Sequence, residues 1–304
     1  MNNGKQILVR QNLDYNIDKL LAQRRLYSNA KVIQYVLIAV TVIFPIIISF
    51  LTNFSNLRMN DTNWVYVIYA LALVIGEKVL EIFIDRNKKT AASIQEKFDL
   101  DVYDIPENEL LNSVFIDDDI VRRYSKKDRG NTGKLEKVTN WYSIKIDRLQ
   151  TNIAILFCQR MNICYDHNIK KKYSTLLITL SITTFIILLI FALTKDFTLK
   201  KFIIEVLLPS LPIFNFTYKE TRTNLESIDN LQKLREIIEE RLNEFSVDGT
   251  VDVEELRNIQ DRIFHNRMLS PLIPDFIYKW LWTDLEDQMN YSVENKIDKL
   301  YSKQ

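Results

Sequence analysis

Glycine, histidine and cysteine are scarce in this 304-residue chain, and each scarcity excludes a class of function. Five glycines leave no Gly-rich loop of the kind that binds phosphate through backbone amides. His167, His265, Cys158 and Cys164 form no cluster with metal-ligand spacing, and no serine nucleophile motif occurs. We therefore expect a protein that is not an enzyme and that needs neither a metal nor a cofactor.

A strong charge of one sign is also missing. The formal net charge is +1, whereas proteins that bind DNA or RNA usually carry a basic excess or a basic face, so we expect no nucleic-acid partner. The mean hydropathy of −0.10 conceals a sharp division between long apolar runs and highly charged blocks. This division predicts a few membrane spans joined to substantial aqueous parts.

Four apolar segments in two pairs organise the chain. Tyr173–Leu193 has no charged residue, and Phe202–Tyr218 follows after a short polar break. An earlier pair, Val32–Leu51 and Trp64–Ile84, is divided by the polar loop Thr52–Asn63. Since about 20 apolar residues cross a bilayer as a helix, and helices satisfy their own backbone hydrogen bonds in lipid, we expect four transmembrane helices in two hairpins.

Basic residues flank these segments mainly on one side, which the positive-inside rule assigns to the cytoplasm. We therefore predict a multi-pass protein with both termini cytoplasmic. The predicted parts are a cytoplasmic N-terminal helix, a first transmembrane hairpin, a cytoplasmic helical block, a second transmembrane hairpin and a C-terminal cytoplasmic helical block, at residues 1–31, 32–84, 85–172, 173–218 and 219–304.

The two charged blocks have helical periodicity and no strand-like alternation, so the predicted fold class is all-α. The second span is expected to continue as a helix to Phe98 and to break at Asp99–Pro106. Thr139–Lys172 is predicted to be one helix that enters the third span. Phe276–Tyr291 is predicted to be a helix with Trp280 on its apolar side.

Charged and kinked positions in the apolar segments are candidates for a pore lining. Glu205 shares the fourth segment with Pro209 and Pro212, and ionisable groups at membrane depth usually face a bundle interior or a water path. Glu77 and Glu81 lie one turn apart at the end of the second segment. The alternatives are that Glu205 pairs with nearby lysines in the outer headgroup region, and that the other two glutamates belong to a cytoplasmic helix extension.

Arginines beside aromatic residues are candidates for nucleotide binding, because a nucleotide needs cationic donors for phosphate and flat faces for bases. The alternative is that the aromatics belong to the core and the arginines to surface ion pairs. The candidates in the charged blocks are Arg122, Arg123, Trp141, Tyr142, Arg160, Tyr165, Arg262 and Arg267.

Several short stretches resemble a known family. The strings are Arg10-Gln11-Asn12, Ala22–Ser28, Phe98-Asp99, Asn140-Trp141-Tyr142, Cys158–Asn162, Tyr165-Asp166 and Pro271–Asp275. Together with the layout of two span pairs around a charged block, they resemble the SMODS-associated four-transmembrane effectors, which are regarded as pore formers of bacterial CBASS antiphage defence.

The resemblance implies a mechanism and a location. A cyclic di- or oligonucleotide second messenger would bind the cytoplasmic part of a protein in the bacterial inner membrane. Subunits would then form a homo-oligomer and the lipid bilayer would become leaky, in an abortive infection. The alternative function is a membrane-anchored helical adaptor or scaffold without a pore, which the same helical patterns would explain.

Overall fold

The computed structural model describes residues 4–44, 47, 63–108, 110–111, 114–194, 198–244 and 251–302. These residues form helices, turns and loops and contain no β-strand. The helices are α1 Lys5–Arg10, α2 Asp14–Ile38, α3 Asn63–Tyr103, α4 Asp118–Ser125, α5 Thr132–Leu135, α6 Thr151–Thr194, α7 Leu199–Phe202, α8 Leu208–Glu244, α9 Val253–Leu269 and α10 Asp275–Tyr301. This architecture confirms the all-α class.

Three shorter helical turns complete the chain. A π-helical turn, Ala39–Ile43, extends α2, and a second one, Ile203–Leu207, joins α7 to α8. A 3-10 helix, Ile144–Arg148, precedes α6. The predicted loop Thr52–Asn63 lies outside the described residues except for Asn63, and so does Pro45 of the first predicted span.

The charged halves of the helices share one hydrophobic core, which defines the polar domain of the molecule. It is built from α1, the start of α2, the end of α3, the first half of α6, the end of α8, α9 and the end of α10. Phe98, Tyr103, Tyr142 and Phe157 are among its largest buried side chains. Residues of both charged blocks of the sequence therefore fold together.

The turn that follows α1 fastens the N-terminal part of the chain to a long loop of this domain. The Asn12 amide donates to Asn140 Oδ1 at 2.8 Å, and Asn12 Oδ1 accepts from the Asn140 backbone N–H at 2.9 Å. Gln11 accepts from the Tyr142 N–H at 2.7 Å. Asn140 has φ of 54°, a left-handed conformation that asparagine tolerates better than most residues, and Asn12 satisfies its backbone there.

The apolar ends of α2 and α6 project beyond the polar domain. Asp14–Ile43 and Thr151–Thr194 are long and apolar enough to cross a membrane. Only 6 % of the most apolar 18-residue stretch of α6 is buried, so this part of the helix does not belong to a soluble core. A large exposed apolar surface is typical of a protein that contacts lipid or another subunit.

Within the described residues, the second and fourth predicted spans do not have the length and apolar composition of a helix that crosses a membrane. Trp64–Ile84 forms the first half of α3 and carries Glu77 and Glu81. Phe202–Tyr218 is helical but is divided by the π-helical turn. The described residues therefore contain two helices with the composition of a membrane span, and the four-span arrangement stays a prediction.

Three local predictions are wrong. Helix α3 continues through Asp99 and ends at Tyr103, because the Asp99 carboxylate is neutralised by a buried arginine. Helix α6 begins at Thr151 and not at Thr139, because Tyr142 and Ile146 anchor the preceding turns in the core. Trp280 is 71 % exposed, although Ile277 and Leu281 of the same helix are buried.

Candidate functional site

A buried polar network lies at the centre of the polar domain and has Asp99 at its middle. Asp99 is fully buried, and its carboxylate accepts from Arg267 at 2.6 Å, Gln260 at 3.1 Å and the Tyr142 hydroxyl at 2.6 Å. The Tyr142 oxygen also lies 2.7 Å from the Tyr103 hydroxyl. We call this set, extended by the residues below, the Asp99 network.

A second carboxylate extends the network by one turn of α3. Glu96 accepts from Arg257 at 2.6 Å and from Gln260 at 2.7 Å. Burial raises the pKa of Glu96 above its ordinary value, as does the Asp99 charge, while Arg257 opposes the shift. Two carboxylates of α3 therefore face two guanidinium groups of α9, with Gln260 bridging them.

The network connects α3, the loop before α6, and α9 through charge. Burial raises the pKa of both Tyr103 and Tyr142 well above the ordinary value, so both hydroxyls remain protonated and able to donate. Buried ion pairs of this kind add little net stability compared with apolar packing. Removal of one partner of such a pair is destabilising, because it leaves a buried charge without its counter-charge. The network therefore specifies how the three elements fit together.

A lysine is buried where the apolar half of α6 begins. The Lys170 ammonium is 2 % exposed and donates to Asp166 at 2.5 Å, Ser270 at 2.7 Å and Ser227 at 2.9 Å. Burial lowers the pKa of Lys170 and Asp166 opposes this shift. The Asn224 amide donates to the Lys170 carbonyl at 2.7 Å, so α6, α8 and α9 are joined by polar bonds at this level.

Polar contacts also join α2 to the C-terminal helices at the same end of the polar domain. Lys31 pairs with Asp275 at 2.5 Å and lies 4.6 Å from the centre of the Tyr278 ring. Gln34 donates to Glu220 at 3.0 Å. Burial raises the pKa of Glu220 to about 7, although the Gln34 hydrogen bond lowers it.

The structure distributes the predicted nucleotide-binding residues over several places. Tyr142 and Arg267 belong to the Asp99 network. Arg160 is buried, pairs with Glu239 at 2.8 Å and donates to Ser292 at 2.9 Å. Trp141 packs edge-on against Phe98, with ring centroids 6.4 Å apart. These side chains are engaged inside the polar domain, as core aromatics and buried ion pairs.

The other predicted nucleotide-binding residues lie nearer the surface. Arg122 is 60 % exposed and 3.8 Å from Asp18, and Arg123 and Arg262 are exposed. Tyr165 is partly buried beside the cluster that joins α6 to α10. The structure does not bring the eight candidates into one cluster, and their role in nucleotide binding stays a prediction.

The predicted pore-lining residues are described only in part. Glu77 is 3.9 Å from Lys219, across the two hairpins, and Glu81 pairs with Lys78 at 2.7 Å. Pro212 lies inside α8. The side chains of Glu205 and Pro209 lie outside the described residues. Glu77 and Glu81 each have a cationic partner, so neither carries an unpaired negative charge within one subunit.

Two surface features bear on ligand and metal binding. A surface depression of about 690 Å³ along α8 is lined by Arg235 and several glutamates, a charge that disfavours a phosphate ligand there. Asp117, the first residue of an acidic run that continues into α4, caps that helix by accepting from the Ile120 N–H at 2.8 Å. The described residues contain no group of acidic, histidine and cysteine side chains arranged to hold a metal.

The main polar contacts between elements were not predicted from the sequence. Glu96, Lys170 and Glu220 were not among the predicted site residues, and Asp99 entered only as part of a family motif. A charged residue within an apolar helical stripe is the signal that could have identified them, because such a residue is buried only with a partner. The partners themselves are distant in sequence, so the pattern alone could not name them.

The geometry defines a class of protein in which long helices connect a polar helical domain to exposed apolar ends. The chain belongs to the family of the SMODS-associating 4TM effector domain, whose model matches residues 5–296. This match confirms the resemblance and supports an effector role in defence. The family description and the two apolar helices indicate a membrane protein.

The chain is also similar to one relative over nearly its whole length. A protein of Bacillus cereus (strain VD146) named "Probable CBASS effector molecule" is 27 % identical over 300 residues, which are 96 % of this chain and 98 % of the relative. No solved structure matches the chain.

Proposed function

We propose that this protein is a four-span effector of the bacterial inner membrane in antiphage defence. A cyclic di- or oligonucleotide binds its cytoplasmic helical part, subunits assemble into a homo-oligomer, and the assembly permeabilises the membrane. The family membership supports the defence role, and the name of the relative supports a place in CBASS signalling.

The observation that carries this proposal is the continuity of α6. Its 44 residues run without interruption from the core of the polar domain, at Ile153 and Phe157, to the exposed apolar end at Leu193. A helix of this length spans about 66 Å. Because α3 and α8 also run from the polar domain into predicted spans, a change in the domain's packing moves the apolar ends directly.

Gating further requires that the ligand bind the open state better than the resting state. In this proposal the Asp99 network stabilises the resting state, because its ion pairs hold α3 against α9. A nucleotide that rearranges these helices would have to replace those bonds, and its phosphates would compete with Asp99 and Glu96 for the arginines.

The test is dye efflux from liposomes that contain the purified protein, measured across a panel of cyclic di- and trinucleotides. We expect efflux with one nucleotide and none without it. Arg123 and Arg262 are exposed arginines whose replacement disturbs no contact described above. If they bind the nucleotide, calorimetry should show weaker nucleotide binding by the Arg123→Ala and Arg262→Ala variants. Leakage that ignores every nucleotide contradicts the gating step.

Neutralisation of Glu205 separates the pore from the adaptor function. A Glu205→Gln variant should alter conductance or ion selectivity of a pore and should leave an adaptor's activity intact. Confirmed insertion without efflux under any nucleotide favours the adaptor.

A further inference from the structure

The start of α10 carries exposed aromatic side chains that the predicted function does not use. Phe276 is 60 % exposed and Trp280 is 71 % exposed. They are four residues apart and therefore share one face of the helix. Lys279 lies beside them and is exposed as well. Exposed tryptophan and phenylalanine on one face of a helix mark an interaction surface.

The contacts of α10 place this surface at the level where the apolar segments begin. Asp275 pairs with Lys31, the residue directly before the first apolar run. Ile273 and Ile277 share a hydrophobic cluster with Tyr173 and Leu177, at the start of the third apolar segment. Contacts with α2 and with α6 thus place the first turn of α10 beside the points at which the first and third apolar segments begin.

The direction of α10 follows from its contacts with the rest of the chain. Arg160 donates to Ser292, and the Tyr301 hydroxyl donates to the Arg148 carbonyl at 3.1 Å. Because these partners lie progressively earlier in the chain, α10 runs antiparallel to α6 and away from the apolar ends. Trp280 is five residues beyond Asp275, which is about 7.5 Å along the helix.

We propose that Phe276, Lys279 and Trp280 form a lipid-headgroup anchor that holds α10 against the inner surface of the membrane. The headgroup region is about 5–7 Å thick on each side, so Phe276 lies at the acyl boundary and Trp280 among the headgroups. Aromatic residues are enriched at this depth, and a lysine there is attracted to anionic lipid.

Neighbouring residues of α6 support the lipid as the occupant of this surface. Lys171 and Lys172 are exposed at the same level, and Leu176 and Leu180 are exposed just beyond them. This exposed part of α6 therefore passes from cationic to apolar in the direction of the predicted bilayer, which is the order of headgroups and acyl chains. This inference rests on the proposed membrane location of the protein.

The experiment measures the depth of nitroxide labels in vesicles of phosphatidylethanolamine and phosphatidylglycerol. Labels are attached to cysteines introduced as Phe276→Cys, Trp280→Cys, Tyr291→Cys or Ile186→Cys, in a Cys164→Ser background. Cys158 is fully buried, and burial raises the pKa of its thiol, so it does not react. Collisions with oxygen report lipid, and collisions with a water-soluble nickel chelate report water.

Tyr291 is the matched control, because it is 70 % exposed and 11 residues after Trp280, on the same face of α10. It lies about 16 Å farther from the membrane level. We expect labels at 276 and 280 to collide several-fold more with oxygen, relative to the nickel chelate, than the label at 291. The label at 186, on the apolar half of α6, should report lipid.

Three results would overturn the anchor. Water contact at 276 and 280 with lipid contact at 186 refutes it and leaves the membrane location intact. Protection from both reagents with spin–spin broadening at 280 shows that a second copy covers the surface. Water contact at 186 refutes the membrane location, and the anchor with it.

Discussion

At the scale of single residues, the Asp99–Arg267 pair is the contact whose loss should cost most. Replacement by Asp99→Asn leaves the buried Arg267 guanidinium without its counter-charge. Removal of one partner of a buried pair costs about 3–5 kcal/mol, so we expect a fall of that size in the free energy of unfolding, measured by denaturant titration in detergent.

The control is Asp101→Asn on the same helix. Asp101 is 40 % exposed and pairs with Lys19, and exposed ion pairs are worth about 0–1 kcal/mol. Equal effects of the two substitutions would show that Arg267 finds another partner when Asp99 is neutral.

Glu220 should make stability depend on pH. Burial raises its pKa to about 7, above the ordinary value of about 4.3 in the unfolded chain. The folded state therefore binds the proton more tightly, and its contribution to stability is present at low pH and is lost as pH rises through 7.

A Glu220→Gln variant removes this dependence. We expect it to melt at a higher temperature than the wild type at pH 8 and at a similar temperature at pH 5, in thermal unfolding followed by tryptophan fluorescence. If the melting temperatures of the variant and the wild type differ by the same amount at pH 5 and at pH 8, Glu220 is not the group that titrates. Glu226→Gln, an exposed glutamate of the same helix that pairs with Arg222, serves as the control.

At the scale of elements, the docking of α1 depends on the absence of a side chain at Gly4. The Gly4 N–H donates to the Leu149 carbonyl at 2.8 Å. A Cβ atom at Gly4 would lie 2.0 Å from the Ile146 carbonyl oxygen, which belongs to the backbone and cannot rotate away.

We therefore expect Gly4→Ala to lower the free energy of unfolding by about 1–3 kcal/mol, the usual cost of overpacking. Gly130→Ala is the control, since a Cβ atom there meets nothing within 4 Å. Equal stability of both variants, together with unchanged protease resistance of the N-terminus, would show that α1 docks in another way.

The continuity of α6 is testable at the same scale. A proline at Lys172, an exposed position between the polar domain and the apolar half, removes one helical hydrogen bond and kinks the helix at a cost of about 3 kcal/mol. If α6 transmits the signal, Lys172→Pro should retain nucleotide binding and lose at least tenfold in efflux rate.

Lys172→Ala controls for the lost charge and should keep the wild-type rate. Undiminished efflux in the proline variant, with the protein folded and inserted, would mean that α3 or α8 transmits the signal without α6.

At the scale of the whole molecule, the proposed pore implies that several copies assemble. The four predicted spans of one subunit would not enclose a wide pore, so a pore would need several copies. We expect the initial efflux rate to rise with a power of the protein-to-lipid ratio well above one. A linear dependence, measured at saturating nucleotide over a tenfold range, would indicate that one subunit forms the leak.

The sequence by itself determined the helical class and the division into apolar and charged parts. Both follow from local properties: hydrophobic periodicity decides which face of a helix is buried, and the length of an uncharged run decides whether it suits a bilayer. The apolar segment Tyr173–Leu193 and the buried positions Ile277, Leu281 and Leu285 were predictable on these grounds.

Only the tertiary structure decided which charges meet. Asp99 was expected to end a helix, and instead it is held within α3 by Arg267, a residue 168 positions later in the chain. Trp280 was expected in the core, yet it faces outward, because the buried face of α10 turns toward α6 at Ile277. Partner choice depends on contacts distant in sequence, and local periodicity carries no record of them.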